Sequence, residues 1–312
     1  MLFLEKRFYI VDNISFMKKM VIALGGNALT TTKDFSYDEQ QYQIKKTARI
    51  ISNLIKKRYK IIITHGNGPQ VGSILLQNEA FPKTQMPLDV CGAESQAQIG
   101  YMLQQAISNK TTKKVCTIVT QVLVDSKDTA FKNPSKPIGP YYSKKDAMKF
   151  KKKYKLKYIE GKGYRRIVPS PEPIDIIELS QIKKLAEDSI VICSGGGGIP
   201  VTKTKGLLKG ISAVIDKDKS GAALAKKIGA DILLILTNVD AVCLNYKQKT
   251  QTKLKRLNIA DAKKYIKEGQ FGEGSMKPKV QAGIDFGKKT IITSINKAEL
   301  ALAGKAGTVI YS

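Results

Sequence analysis

Apolar residues fall along this chain in two patterns. Residues 20–24, 61–63, 189–193 and 231–236 are short, nearly continuous hydrophobic runs. Runs of that length predict strands buried on both faces, the kind found in parallel sheets. Elsewhere the apolar positions recur every three or four residues. Over 38–57, Ile44, Ala48, Ile51 and Leu54 share one side and lysines occupy the other. That spacing predicts a helix, and helices are also predicted over 92–108, 174–186, 260–268, 279–287 and 296–303. Further strands are predicted over 116–124, 290–293 and 308–311. Strand and helix alternate through short connections, which implies a mainly parallel open sheet covered by helices on both faces.

Residues 126–168 break the alternation. Pro134, Pro137 and Pro140 precede a lysine-dense stretch, Lys151-Lys152-Lys153, and two short strands then flank a glycine turn near Gly161–Gly163. This segment is the candidate for an inserted subdomain.

At 312 residues the chain can bury a substantial core, as one large or two moderate domains. No run approaches the roughly 18 uninterrupted apolar residues of a membrane span. The first 18 residues are apolar and basic, but they carry Glu5 and Asp12 and no small-residue cleavage site. They read as an extension without an assigned role rather than a signal peptide, and a cytoplasmic protein is expected. Cys91, Cys116, Cys193 and Cys243 lie far apart, and His65 is the only histidine, so no zinc site can be assembled from them. The net charge of +27 raises a nucleic-acid partner as a possibility. The lysines are spread over the whole chain, arginine is scarce and no binding module surrounds the densest run. A lysine-biased surface therefore explains the charge more simply.

Three predicted strands end in glycine loops, at Gly25-Gly26, Gly66–Gly72 and Gly195–Gly198, all on the carboxyl edge of the sheet. Ligands of open α/β sheets bind beyond that edge, and glycine lets backbone N–H groups approach an anion. A fourth stretch, Asp216-Lys217-Asp218, follows an apolar run and opens a helix, with Asp218 as the candidate N-cap. A lysine between two carboxylates at a helix start suits a phosphate, and would also serve as a capped, solvated turn. No G-x-x-x-x-G-K-[ST] motif is present, and Gly66, Gly68 and Gly72 are spaced one residue too widely for G-x-G-x-x-G. Protein-kinase signatures are missing too. His65 has no nucleophile to serve and reads as structural. Lysines are left as the chemical groups, which fits phosphoryl transfer, where positioning and charge neutralisation supply most of the catalysis.

Taken together, VIALGGNAL (21–29), THGNGPQVG (64–72), PLDVCGAESQAQIGYM (87–102), NPSKPIGPY (133–141), GYRRIVPSPEP (163–173), CSGGGGIPV (193–201), AVIDKD (213–218), ILTNVD (235–240) and GSMKPK (274–279) resemble carbamate kinase, of the amino acid kinase superfamily. The resemblance runs in order from about residue 19 to the C-terminus. It implies a three-layer α/β/α sandwich, the amino acid kinase fold, with an open sheet of about eight strands and a small protruding subdomain over about 126–168. Residues 19–188 would form the carbamate half and residues 189–312 the nucleotide half of a kinase domain, usually a homodimer. The reaction implied is reversible phosphoryl transfer between carbamoyl phosphate and ADP, giving ATP and carbamate, the last step of fermentative arginine degradation.

By matched motif, Lys217 resembles the lysine on the transferred phosphoryl group and Lys279 the lysine toward the nucleotide phosphates. Asp218 would organise both, and Lys136 would reach the substrate from the subdomain. Gly25, Gly26 and Asn27, with Gly66, Asn67 and Gly68, would surround the acceptor. Gly195, Gly196, Gly197 and Gly198 would add backbone donors. Asp216, Asn238, Tyr246 and Met276 would lie with the nucleotide, and Mg2+ would bind through its phosphates rather than through protein side chains. The chain departs from the family pattern at Ala97, where a glycine is expected, and at Lys277, an added lysine close to Lys279. Other acceptors within the superfamily, N-acetylglutamate or a nucleoside monophosphate, stay open as alternatives.

Overall fold

The computed structural model describes residues 17–30, 36–57 and 59–312, so residues 1–16 of the expected extension lie outside the described residues. The chain begins with β1 (Lys19–Leu24), α1 (Tyr37–Ile55), β2 (Lys60–His65), α2 (Gly68–Ala80) and α3 (Leu88–Ser108). Two short strands follow, β3 (Lys114–Thr117) and β4 (Gln121–Leu123). Then come β5 (Lys136–Tyr142), α4 (Lys144–Phe150), β6 (Leu156–Ile159) and β7 (Gly163–Val168). β8 (Asp175–Ile176), α5 (Leu179–Leu185) and β9 (Ser189–Ile192) precede a hairpin of β10 (Ile199–Thr204) and β11 (Leu207–Gly210). The last third runs through α6 (Lys217–Lys227), β12 (Ile232–Thr237), β13 (Cys243–Leu244), β14 (Thr252–Lys253), β15 (Arg256–Asn258) and α7 (Ile259–Lys267). It ends with α8 (Met276–Phe286), β16 (Lys289–Ser294), α9 (Ala298–Leu302) and β17 (Thr308–Tyr311).

Eight strands form the main sheet in the order β15-β17-β16-β12-β1-β2-β9-β3. The six from β16 to β3 are mutually parallel, while β17 pairs antiparallel with β16 and carries β15 along with it. The layering follows from the two-residue period of a strand. In β1, Val21 and Ala23 join one core with α6 and α8 through Ala222, Leu224, Val280 and Ala282. Met20, Ile22 and Leu24 join the other, with α1, α3 and α9 through Ile44, Ile51, Leu103 and Ala301. Each run of consecutive apolar residues thus feeds two cores at once, and the three-layer α/β/α fold is borne out.

Several boundaries differ from the sequence expectation. The predicted strand over 116–124 is two strands in different sheets: β3 on the edge of the main sheet, and β4 in a four-stranded sheet ordered β11-β10-β4-β8. Buried Thr120 breaks it, because the Gln96 amide donates to Thr120 O (3.1 Å) and accepts from its N–H (2.8 Å). The predicted helix over 174–186 begins only at Leu179, since Ile174 and Ile177 donate their N–H groups to Leu123 O and Gln121 O. α8 starts three residues earlier than expected, at Met276, with Pro278 in its first turn, where a missing N–H costs nothing. Within 126–168, β5, β7 and β6 form their own antiparallel sheet. Gly139 of β5 comes against Gly72 of α2, close to the carboxyl edge of the main sheet.

Candidate active site

β1, β2 and β9 are neighbours in the sheet, so the three glycine loops that leave their carboxyl ends sit side by side. They are tied to one another and to β12: Gly66 N–H donates to Leu24 O, Thr64 Oγ1 to Ser194 O, and Gly25 N–H to Leu236 O of β12. The His65 ring, together with the Gln96 side chain, fills the space that a side chain at residue 195 would need, and its Nδ1 lies 2.9 Å from Gly66 O. Burial lowers its pKa to about 4, partly opposed by that carbonyl, so His65 is neutral and holds the loops without titrating near neutral pH. The backbone N–H groups of Gly26, Gly68 and Gly196 donate to nothing among the described residues, and all three glycines line one cavity. Unpaired N–H groups at turn and helix starts are anion donors.

The Asp-Lys-Asp turn stands opposite them. Asp216, not Asp218, is the N-cap of α6: its Oδ1 accepts from Asp218 N (2.9 Å) and Lys219 N (3.5 Å). Lys217 therefore begins the helix, and Asp218 is free to point inward. Lys217 Nζ lies 2.6 Å from Asp218 Oδ1 and Lys279 Nζ 3.0 Å from Asp218 Oδ2, so one carboxylate bridges two lysines. Lys217 reaches this position by crossing Gly66, where an added Cβ would stand 3.2 Å from its Cδ. Burial alone would raise the Asp218 carboxyl pKa, but the adjoining Lys217 and Lys279 ammonium groups hold it below the ordinary value. Burial and the nearby Lys217 charge push Lys279 down, and Asp218 opposes them.

Lys136, at the start of β5, reaches across to Asp216 Oδ2 at 2.5 Å. The Asp216 carboxyl would rise on burial, and the Lys136 charge and hydrogen bond bring it below the usual carboxylate range. Asp216 faces the loops and Lys136 and does not line the cavity beside Asn238. Lys277, two residues before Lys279, turns away to Glu273 (2.7 Å).

Three adjoining cavities open along this edge. One, of about 260 Å³, lies among Gly26, Gly66, Asn67, Gly68, Lys136, Gly196, Asp216, Lys217 and Lys279. A second, of about 220 Å³, is lined by Gly25, Gly26, Lys217, Asn238 and Lys279. The third, of about 410 Å³, has Asn238, Tyr246, Met276 and Lys279 in its wall. Lys279 lines all three. Gly195 and Gly197 are buried and line none of the three cavities. The Gly197 and Gly198 N–H groups donate within the loop to Ser194 O and Gly195 O, which leaves Gly196 as the glycine of this loop that faces the first cavity. The Asn27 side chain lies outside the described residues. Sequence reasoning missed the supports from α3: Gln96 also donates to Gly195 O (3.0 Å), and Ser95 accepts from Asn67 Nδ2 (2.8 Å). It also missed Arg165, which lines the first cavity from β7. Strand alternation was the available signal, since Arg165 and Arg166 must face opposite sides.

The model of the amino acid kinase family matches residues 18–295. The chain belongs to the amino acid kinase family. Among curated relatives of this amino acid kinase, a carbamate kinase of Pyrococcus horikoshii is 46% identical over 310 residues, covering 94% of this chain and 99% of the relative. A carbamate kinase of Staphylococcus epidermidis is 47% identical over 317 residues, with 94% and 99% covered. A solved structure of carbamate kinase from Giardia lamblia bound to AMP-PNP superposes with a TM-score of 0.88 at 44% identity, covering 96% of this chain and 99% of that one.

Proposed function

We propose that this chain is a carbamate kinase that moves a phosphoryl group reversibly between carbamoyl phosphate and ADP, giving ATP and carbamate, which breaks down to ammonia and CO2. The observation that carries the reading is the convergence of Lys217 and Lys279 on Asp218 where the three cavities meet. The small cavity among the glycine loops suits carbamoyl phosphate, and the cavities beside Asn238, Tyr246 and Met276 suit ADP. In the ATP-forming direction the bond from phosphorus to the carbamate oxygen breaks, and a bond forms to an oxygen of the ADP β-phosphate. Lys217 neutralises the moving phosphoryl group, Lys279 the nucleotide phosphates, and the Gly26, Gly68 and Gly196 N–H groups receive the developing charge. Lys136 holds the substrate phosphate after exchanging Asp216 for it. Asp218 fixes the two lysines in place.

Among the described residues no cluster of three or more His, Cys, Asp or Glu side chains is arranged to hold a metal ion. Asp216 and Asp218 are both engaged by lysines, so Mg2+ would be carried on the nucleotide phosphates rather than on these carboxylates, and would supply charge neutralisation there. Four unpaired cysteines fit a reducing, cytoplasmic setting, and a homodimer is the assembly the family resemblance implies. No helix among the described residues is long and apolar enough to cross a membrane.

The test is ATP formation by the purified protein from ADP, Mg2+ and carbamoyl phosphate. ATP should accumulate with carbamoyl phosphate, while N-acetylglutamate and UMP with ATP should give no phosphorylated product. The opposite pattern would move the chain to another acceptor class of the same family.

A further inference from the structure

We infer that Arg165 is a substrate-binding residue, supplying with Lys136 the second subdomain cation that grips the phosphate of the dianionic phosphoryl donor. The inference rests on the reaction proposed above and adds to it a residue from outside the Asp-Lys-Asp centre.

Charge in the first cavity does not balance without an anion. Four cations line it, Lys136, Arg165, Lys217 and Lys279, against two carboxylates, Asp216 and Asp218. Lys217 and Lys279 share Asp218, and Lys136 takes Asp216. Arg165 has no carboxylate partner among the described residues. The excess of two positive charges matches a phosphate dianion, such as that of carbamoyl phosphate.

Arg165 is also held ready. Its Nε donates to Gly139 O at 3.0 Å, and its guanidinium lies 4.9 Å from the centre of the Tyr141 ring. The β5–β7 register breaks between Ile138 and Tyr141, and Gly139 adopts φ 69°, which turns that carbonyl toward Arg165. Apart from a 3.5 Å contact to the Tyr141 hydroxyl, the terminal guanidinium nitrogens have no acceptor among the described residues. Arg166 shows what a structural arginine looks like here: it does not line the cavity, and its guanidinium lies 4.1 Å from the Tyr154 ring centre. With Nε taken by Gly139 O, the two terminal nitrogens form a planar fork that matches two phosphate oxygens. As the carbamoyl oxygen–phosphorus bond breaks, Arg165 neutralises charge on the phosphoryl oxygens and exchanges no proton, because guanidinium stays charged.

Steady-state kinetics of Arg165→Met and Arg165→Lys, with carbamoyl phosphate and ADP varied separately, test this. For Arg165→Met the KM for carbamoyl phosphate should rise about 10- to 100-fold, the size expected for lost charge-assisted hydrogen bonds, with the KM for ADP within about twofold. Arg165→Lys should recover part of the loss, because it keeps the charge without the fork. Wild-type KM values for both substrates in Arg165→Met would overturn the inference while leaving the reaction intact. A wild-type protein that makes no ATP from carbamoyl phosphate would instead overturn the reaction itself. If Arg165→Met does not fold, Arg165→Lys decides: a KM for carbamoyl phosphate raised about fivefold or more supports the assignment, and an unchanged one overturns it.

Discussion

Asp218 is almost wholly buried, yet it carries a charge because two ammonium groups stand against it. A lone buried carboxylate would be expelled or neutralised; bridged between Lys217 and Lys279 it stays ionised and fixes both lysines. The dependence is mutual. Lys279 is pushed down by burial and by Lys217, and Asp218 is the group that resists this. Asp218→Asn keeps the shape and removes the charge, so the Lys279 pKa should fall further. Turnover should drop by about 100-fold or more, and the alkaline limb of the kcat–pH profile should move to lower pH than in the wild type. A pH titration of kcat checks this, and an alkaline limb that does not move would separate Asp218 from Lys279. Asp216 has different work: one oxygen caps α6 and the other holds Lys136, which ties the helix start to the β5 strand.

The strands and their loops explain why the glycine sequences cluster. β1, β2 and β9 are adjacent, so a loop from each reaches the same point, and His65 packs among them as a neutral ring. That burial has a consequence for stability. The folded pKa, about 4, lies below the unfolded value of 6.5, so the unfolded chain takes up a proton first as pH falls. Between pH 6.5 and 4 stability should therefore decrease with falling pH, by up to about 3 kcal/mol from this residue. Asp216 and Asp218 contribute in a separate window: their lowered values give stability that is present above 3.8 and lost below it. Urea unfolding at several pH values should show the first loss, and His65→Gln should flatten the slope between pH 6.5 and 4. An unchanged slope would mean that His65 is not the titrating group. The buried strands, the glycine loops and the Asp-Lys-Asp turn were readable from sequence because apolar runs and glycine dipeptides are local signals. The division at Thr120, the late start of α5 and the capping by Asp216 were not. Each depends on a hydrogen bond from a distant segment, such as Gln96 to Thr120 or Ile174 to Leu123, and no local pattern records it.

Across the molecule, the cleft is assembled from both ends of the chain. The loops after β1, β2 and β9 supply the glycine edge, β5 and β7 supply Lys136 and Arg165, α6 and α8 supply Lys217 and Lys279, and the loop after β12 supplies Asn238. The net charge of +27 adds a field that favours anionic substrates at modest salt, without choosing among them. Another cavity of about 550 Å³, lined by Lys45, Lys46, Arg49 and Lys110 on α1 and beyond α3, shares no residue with the cleft. Phosphoryl transfer is thus assigned to the cleft in which Lys279 meets all three cavities. The most direct test is 31P NMR of carbamoyl phosphate and MgADP with the wild type and with Lys217→Ala, circular dichroism establishing that the variant is folded. The wild type should convert the carbamoyl phosphate resonance into the ATP γ-phosphate resonance, and Lys217→Ala should do so at least about 1,000-fold more slowly, because it removes a charge needed mainly in the transition state. Near-normal conversion by a folded Lys217→Ala variant would contradict the assignment of this centre.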